Sequence, residues 1–219
     1  MNYVLIGANV AAFLMELTLT SDLTRFVYIF GLVPQKVVGA LTQAPQLLPY
    51  AAVPFFTSLF LHGGWLHLIG NMLFLYIFGD NVESTLGHVR YLVFYLVCGM
   101  AASMTHILAN PASNAPTIGA SGAIAGVLGA YFVLFPRARV LTLLPIFFFI
   151  SIVEVPAILF LGLWFFIQFL SGSMSYGSDA AAAGVAWWAH IGGFAVGVGY
   201  TLVRYGMIRE RRERVTYKT

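Results

Sequence analysis

The chain has 219 residues, of which 60% are hydrophobic and only 9% are charged, and its formal charge is +3. Soluble domains carry about 25% charged residues, so this composition excludes an ordinary water-soluble globule. Aromatic residues run through the whole chain, which excludes a soluble domain on one membrane anchor. No basic patch interleaved with aromatic residues suggests a nucleic acid partner. The lone cysteine, Cys98, excludes a disulfide framework.

Hydrophobic segments of nearly membrane-spanning length recur along the chain. A spanning helix needs about 20 mostly apolar residues. The six predicted spans cover residues 2–17, 65–79, 90–109, 121–135, 155–170 and 184–205. The first segment lacks the basic start of a signal peptide, so we expect it to be retained. The sequence therefore predicts an all-α membrane protein with one domain over residues 1–205 and a basic tail over residues 206–219.

The distribution of basic residues predicts the orientation of these spans. Six crossings put both termini on the same side of the membrane. That side would carry nine of the eleven lysine and arginine residues, whereas the other side would carry only Arg25 and Lys36. Basic residues are enriched in cytoplasmic loops, so both termini are predicted to be cytoplasmic.

The fourth predicted span is unusually short. Residues 121–135 would form a helix of about 22 Å, several ångströms less than the hydrocarbon thickness of about 30 Å. Pro136 and Arg137 fix its cytoplasmic end, so its other end must begin below the membrane surface. Irregular backbone at that depth requires a protein wall or a water-filled cavity. Ser121 is therefore predicted to lie in a sunken pocket.

Polar residues near the starts of three spans are predicted to meet at this depth. The second, fourth and sixth spans all run inward, so their first turns share one level of the membrane. Those turns carry His67 and Asn71, then Ser121, then His190. Polar side chains inside a membrane usually face the interior of the helix bundle or an aqueous cavity. We therefore expect these four residues to form one cluster.

The chemistry that suits this cluster is acyl transfer. Ser121 opens a helix, so free N–H groups and the positive end of the helix dipole surround its hydroxyl. His190 is the natural general base, and Asn71 and His67 are candidate donors to an oxyanion beside the Ser121 N–H group. His106 is a rival base, but nothing places it opposite Ser121. No zinc motif or paired carboxylates are present at this depth, so neither a metal nor a cofactor is predicted.

Three stretches of the sequence carry a family resemblance. They are residues 56–71 (FTSLFLHGGWLHLIGN), 119–122 (GASG) and 189–193 (AHIGG). Because these stretches occur in this order, the chain resembles the rhomboid family of intramembrane serine proteases over essentially its whole length. The resemblance implies a six-helix rhomboid bundle in the lipid bilayer that cleaves transmembrane protein substrates. It also implies a catalytic dyad of Ser121 and His190, with Asn71, His67, the Ser121 backbone and Gly119 stabilising the oxyanion.

The chain departs from the family pattern at two positions. Many members carry a Trp-Arg pair in the first outer loop, and none occurs before Thr57. Some members place an aromatic residue one turn after the serine, where it stacks on the histidine. Here that position is Ala125.

The sequence also suggests how a substrate would enter. We expect it to pass between the second and fifth spans, with the phenylalanine-rich fifth span as a gate and residues 171–184 as a cap. Gln168, near the outer end of the fifth span, could touch substrate but is not expected to be catalytic. The compact form favours a prokaryotic plasma membrane with the site facing outward, and an organellar membrane is the alternative. No oligomeric state is predicted.

Two other classes of function fit parts of the pattern. A non-catalytic, rhomboid-like binding protein would hold membrane clients without cutting them, although such proteins usually lack the serine or the histidine. A small transporter would use Asn71 and the histidines to line a path. The absence of inverted repeats and of charges at mid-membrane argues against transport.

Overall fold

The computed structural model describes residues 1–146, 149–175 and 185–216, and most of them are helical. The helices in chain order are α1 (Asn2–Glu16), α2 (Leu23–Phe30), α3 (Pro34–Thr42), α4 (Leu48–Ala52), α5 (Pro54–Thr57), α6 (Trp65–Leu86), α7 (His88–Ala109), α8 (Ser121–Leu134), α9 (Ala157–Ser175) and α10 (Trp187–Thr216). Single 3₁₀ turns occupy Thr20–Asp22, Pro45–Leu47 and Ser58–Phe60.

Helices α1 and α6 to α10 overlap the six predicted spans, although α6 continues seven residues past residue 79 and α10 continues to Thr216, past residue 205. Within the described residues, α7 and α9 are long and apolar enough to cross a membrane alone. The number rises to four if each of two bent pairs, over residues 2–30 and 45–86, forms one broken span. Helix α8 is a shorter apolar helix. The helical membrane fold is thus confirmed, whereas the count of six crossings and the cytoplasmic termini stay predictions.

The prediction of an all-α chain was wrong between α8 and α9. Strands β1 (Arg139–Ile146) and β2 (Phe149–Pro156) form an antiparallel hairpin, in which Leu143 pairs with Ile152. Helix α9, which corresponds to the fifth predicted span, accordingly begins at Ala157, two residues after the predicted start of that span. The strands are rich in Val, Ile and Leu, and β-branched residues such as Val and Ile favour extended backbone.

Helix α8 forms the centre of the bundle. Every residue from Gly122 to Tyr131 is buried, and α6, α7 and α10 all pack against it. A side chain added at Gly126 would strike Cys98 of α7, and one added at Gly129 would strike the Phe194 carbonyl of α10. Small residues let helix backbones approach closely in membranes. The contacts run in step along α8 and α10, so their starts lie at the same end of the bundle.

Helix α1 is fixed to the bundle near both of its ends. Near its start, the Asn2 N–H donates to Glu83 Oε2 (2.7 Å), and Tyr91 Oη donates to Asn2 Oδ1 (2.8 Å). Near its end, the buried Glu16 accepts a hydrogen bond from the His62 N–H (3.1 Å). Since His62 precedes α6 by three residues, this contact holds the turn that leads into His67 and Asn71.

The segment before Ser121 is held by the region of α2 to α5. Leu32 and Thr117 exchange backbone hydrogen bonds of 3.0 and 2.8 Å, and the Gln35 N–H donates to the Ser113 carbonyl (3.0 Å). The Thr57 hydroxyl donates to the Phe30 carbonyl (2.6 Å). These bonds hold the first loop and the approach to α8, in a chain that has no Trp-Arg pair before Thr57.

Candidate active site

Ser121 and His190 face each other across the junction of α8 and α10. Ser121 is the first residue of α8, and His190 lies in the first turn of α10. Their side chains are joined by a hydrogen bond of 2.8 Å between Ser121 Oγ and His190 Nε2. The helices come this close because Gly122 and Gly193 meet directly, with no room for a side chain at Gly193. The sequence-predicted pair is therefore brought together.

His67 and Asn71 present hydrogen-bond donors on the same side of α6. The Gly63 N–H donates to His67 Nδ1 (3.3 Å), so this nitrogen has no proton and Nε2 carries it. The Asn71 side chain is 8% exposed, and its Nδ2 group is buried without a hydrogen-bond partner in the described part of the chain. A buried amide N–H without a partner costs about 1–3 kcal/mol. The Asn71 amide is thus available to donate to a group bound in the cavity that it lines.

Gly119 makes room for these donors. Its φ of 126° is a backbone conformation that residues with a side chain rarely adopt. A Cβ atom at Gly119 would lie 2.7 Å from His67 Nε2 and 3.7 Å from Asn71 Nδ2. Its own N–H already donates to the Ser58 carbonyl (2.8 Å). Gly119 therefore contributes space beside the predicted oxyanion site, and its N–H group is not a spare donor.

One cavity of about 760 Å³ connects these groups, because Ser121, His190, His67, Asn71 and Gly119 all line it. His106 lines the same cavity, but the hydrogen-bond partner of Ser121 is His190.

Over the ranges that the structure describes, no group of three or more His, Cys, Asp or Glu side chains is placed to bind a metal. The predicted cap covers residues 171–184. Helix α9 continues to Ser175, and residues 176–184 lie outside the described residues.

The sequence singled out Gln168 as a candidate substrate contact, but it did not predict that two residues of α9 are neighbours of His190. Gln168 Oε1 lies 2.7 Å from His190 Nδ1, and the Trp164 ring lies 5.9 Å from the imidazole ring at an interplanar angle of 36°. Trp164 thus supplies the aromatic contact that Ala125 does not. One indication of this contact was present in the sequence, because the amide of Gln168 lies in an apolar helix. A polar side chain in such a helix usually faces the interior of the bundle. Nothing in the pattern paired that amide with the histidine.

Comparisons with known proteins show the family to which the chain belongs. A family model described as Rhomboid domain matches residues 50–206. Rhomboid protein 1, mitochondrial, of Saccharomyces cerevisiae is 30% identical over 221 residues, covering 97% of this chain and 55% of that protein. Presenilin-associated rhomboid-like protein, mitochondrial, of Homo sapiens is 27% identical over 167 residues, covering 73% of this chain and 40% of that protein.

A third relative matches a shorter region. Rhomboid-like protein 11, chloroplastic, of Arabidopsis thaliana is 42% identical over 73 residues, or 33% of this chain and 26% of that protein. The chain thus spans about half the length, or less, of these curated relatives. The domain match covers most of the chain and includes Ser121, His190, His67 and Asn71. The chain is therefore an integral membrane protein that belongs to the rhomboid family.

Proposed function

We propose that this protein is an intramembrane serine endopeptidase that uses a dyad of Ser121 and His190. The observation that carries the proposal is the 2.8 Å hydrogen bond between Ser121 Oγ and His190 Nε2 inside a cavity of the bundle. A hydroxyl becomes an effective nucleophile when an adjacent base accepts its proton. The rhomboid family acts on membrane proteins, so the proposed substrates are transmembrane segments or their flanks.

The chemistry follows the usual course of acyl transfer. Ser121 Oγ attacks a substrate carbonyl carbon while its proton passes to His190 Nε2, and a tetrahedral oxyanion forms. His190 then gives this proton to the leaving amine as the peptide bond breaks. A water molecule, deprotonated by His190, hydrolyses the acyl ester and releases Ser121. The first-turn N–H of Ser121, the Asn71 amide and the His67 Nε2–H are the proposed oxyanion donors.

Asn71→Ala is expected to lower kcat about 10²- to 10³-fold, with little effect on KM, because one donor to the oxyanion is lost. The fold is expected to remain intact or to gain stability. Asn71 Nδ2 has no partner in the described chain, so removing it breaks no hydrogen bond made by that group. Steady-state cleavage and thermal unfolding in detergent measure the two effects.

The matched control is Asn81→Ala, which removes an exposed asparagine near the other end of α6. This variant is expected to cleave at the wild-type rate. A kcat for Asn71→Ala equal to that of Asn81→Ala would remove Asn71 from the proposed oxyanion site.

The proposed route of substrate entry lies between α6 and α9. Phe160 of α9 packs against Phe74 and Phe78 of α6, with ring centroids 6.4 and 6.3 Å apart. The cavity that contains Ser121 is lined by Phe74 and, on the α9 side, by Trp164. Separation of these two helices would open the cavity toward the lipid, where a transmembrane substrate resides.

A covalent link between α6 and α9 is expected to stop cleavage of a transmembrane reporter. Phe74→Cys and Phe160→Cys, joined by a short bis-maleimide, would prevent the two helices from separating. Cys98 is buried and is expected to remain unmodified. Each single-cysteine variant, treated in the same way, is the control. Full turnover by the crosslinked double variant would contradict lateral entry, and continued labelling of Ser121 by a small fluorophosphonate would show that the dyad is intact.

The proposed location is a prokaryotic plasma membrane, which the compact form favours, and the distribution of basic residues favours a site that faces outward. The names of three relatives assign those proteins to mitochondria or chloroplasts, so an organellar membrane is the second candidate. Cleavage of a single-span reporter by purified wild-type protein, compared with Ser121→Ala, tests the enzymatic proposal. A non-catalytic membrane-client binder would give no product from either protein.

A further inference from the structure

His190 is held from both sides of its ring. Nε2 faces Ser121 Oγ at 2.8 Å, and Nδ1 faces Gln168 Oε1 at 2.7 Å. A carboxamide oxygen has no proton and can only accept a hydrogen bond. The proton of the neutral imidazole therefore lies on Nδ1, which leaves the lone pair of Nε2 directed at the serine hydroxyl. This is the tautomer that a general base for Ser121 requires.

The position of Gln168 is set by the packing of α9 on α10. Gln168 is 6% exposed, and Trp164 lies one helical turn before it. Gly172, one turn after Gln168, packs closely on Trp187 and Ile191 of α10, where an added Cβ atom would lie 3.3 Å from each. One face of α9 thus places an aromatic ring, an amide and a close backbone contact in succession along the start of α10. These contacts fix the position of α9 along α10, and at that position the Gln168 amide lies opposite the His190 imidazole.

We propose that Gln168 is a positioning residue for the Ser121–His190 dyad, fixing the tautomer and the orientation of the imidazole from α9. The inference rests on the function proposed above and adds a third side chain to the dyad. Gln168 faces Nδ1 of His190 whereas Ser121 Oγ faces Nε2, so Gln168 acts through the imidazole ring. The amide carries no charge, so it orients the ring without the additional stabilisation that a carboxylate would give to an imidazolium.

The placement of Gln168 makes the base depend on the position of α9. If α9 moves away from α6 and α10 to admit a substrate, Nδ1 loses its acceptor and the ring is free to rotate or to change tautomer. The dyad is then complete only when α9 has returned. Entry and acylation become successive steps, which protects the active site from reacting while it is open.

The direct test compares Gln168→Leu, Gln168→Glu and the wild type in cleavage of a single-span reporter. Leucine has a similar length and no acceptor, so kcat is expected to fall about 10- to 100-fold, the range seen when metal-binding histidines lose an outer hydrogen-bond partner, with KM nearly unchanged. Glutamate restores an acceptor oxygen and is expected to recover most of this loss. Ile167→Ala, at a 47% exposed neighbour on α9, is the matched control and is expected to retain wild-type kcat.

Nitrogen-15 NMR of histidine-labelled protein provides a readout that does not depend on turnover, with the His190 signals assigned by their loss in His190→Ala. The proposal predicts a protonated Nδ1 and an unprotonated Nε2 in the wild type, and loss of this single tautomer in Gln168→Leu. An unchanged tautomer in Gln168→Leu, or Gln168→Glu cleaving no better than Gln168→Leu, would overturn the positioning role. Failure of the wild type to cleave would refute the proposed function separately, and the tautomer would still test Gln168.

Discussion

Cleavage of a single-span reporter by the purified protein is expected to stop when Ser121 is replaced by alanine. Loss of the nucleophile from a serine protease lowers kcat by about 10⁶-fold, so no product is expected above background. The fold is expected to survive, because the substitution removes one hydroxyl and one hydrogen bond worth about 0.5–1.5 kcal/mol. His190→Ala is expected to have an effect of similar size, since serine and base act as a unit.

The matched control for Ser121→Ala is Ser103→Ala. Ser103 is a buried serine on α7 that lines the same cavity. Because His190 Nε2 is hydrogen-bonded to Ser121, replacement of Ser103 is expected to leave cleavage nearly unchanged. Product formation by Ser121→Ala at the wild-type rate would mean that another group performs the chemistry.

Gly197→Val is expected to lower both the stability of the bundle and its activity. A Cβ atom at Gly197 would fall on the carbonyl oxygen, carbonyl carbon and Cα of Gly126, which are backbone atoms that cannot rotate away. Helices α8 and α10 must then separate, and overpacking of this kind costs about 1–3 kcal/mol or more. Even a displacement of about 1 Å between Ser121 and His190 would lower the rate about 10²-fold. Thermal unfolding and reporter cleavage measure the two losses.

Gly199 offers a control on the same helix. An added Cβ atom there meets nothing within 4 Å, so Gly199→Val is expected to fold and to cleave normally. Gly197→Ala is expected to lie between the two, with reduced stability and reduced activity. If Gly197→Val and Gly199→Val unfold at the same temperature and cleave at the same rate, the close approach of α8 and α10 does not limit either property.

The helices and the central polar cluster could be read from the sequence because each has a local signature. Long apolar segments predict helices, and a helix-breaking residue such as Pro136 marks where α8 ends. Ser121, His190, His67 and Asn71 stood out as polar residues at the starts of apolar helices, where they must have partners. The hydrogen bonds among the described residues agree with this reading for the serine and the histidine.

The contacts of α9 could not be read in the same way. The polar side chains of this apolar 19-residue helix are one glutamine and three serines, so its sequence indicates that Gln168 faces inward but not which neighbouring helix it meets. The role of Gln168 depends on the rotation of α9 about its axis and on its register along α10. Both are set by packing of large rings, such as Phe165 on Phe194 with centroids 4.7 Å apart, and not by any spacing within α9.

The hairpin of β1 and β2 escaped prediction for a related reason. Its strands contain long apolar runs, and no Asn-Gly or Asp-Gly turn separates them. In an apolar chain, a strand of this kind resembles a short stretch of buried helix, since neither shows regular alternation. An ion pair joins Arg139 of β1 to Glu154 of β2, with 3.8 Å between Arg139 Nε and Glu154 Oε2. It can be recognised only when the two strands are aligned.

Covalent labelling by a small fluorophosphonate, with the adduct located by mass spectrometry, tests most directly whether Ser121 is an activated nucleophile. The probe needs no transmembrane substrate and no opening of α9, so it reports on the dyad alone. One adduct on Ser121 is expected in the wild type, and it should be lost in His190→Ala and retained in Ser103→Ala. Equal labelling of Ser121 with and without His190, or no labelling of Ser121 in the folded wild type, would contradict a serine activated by its histidine.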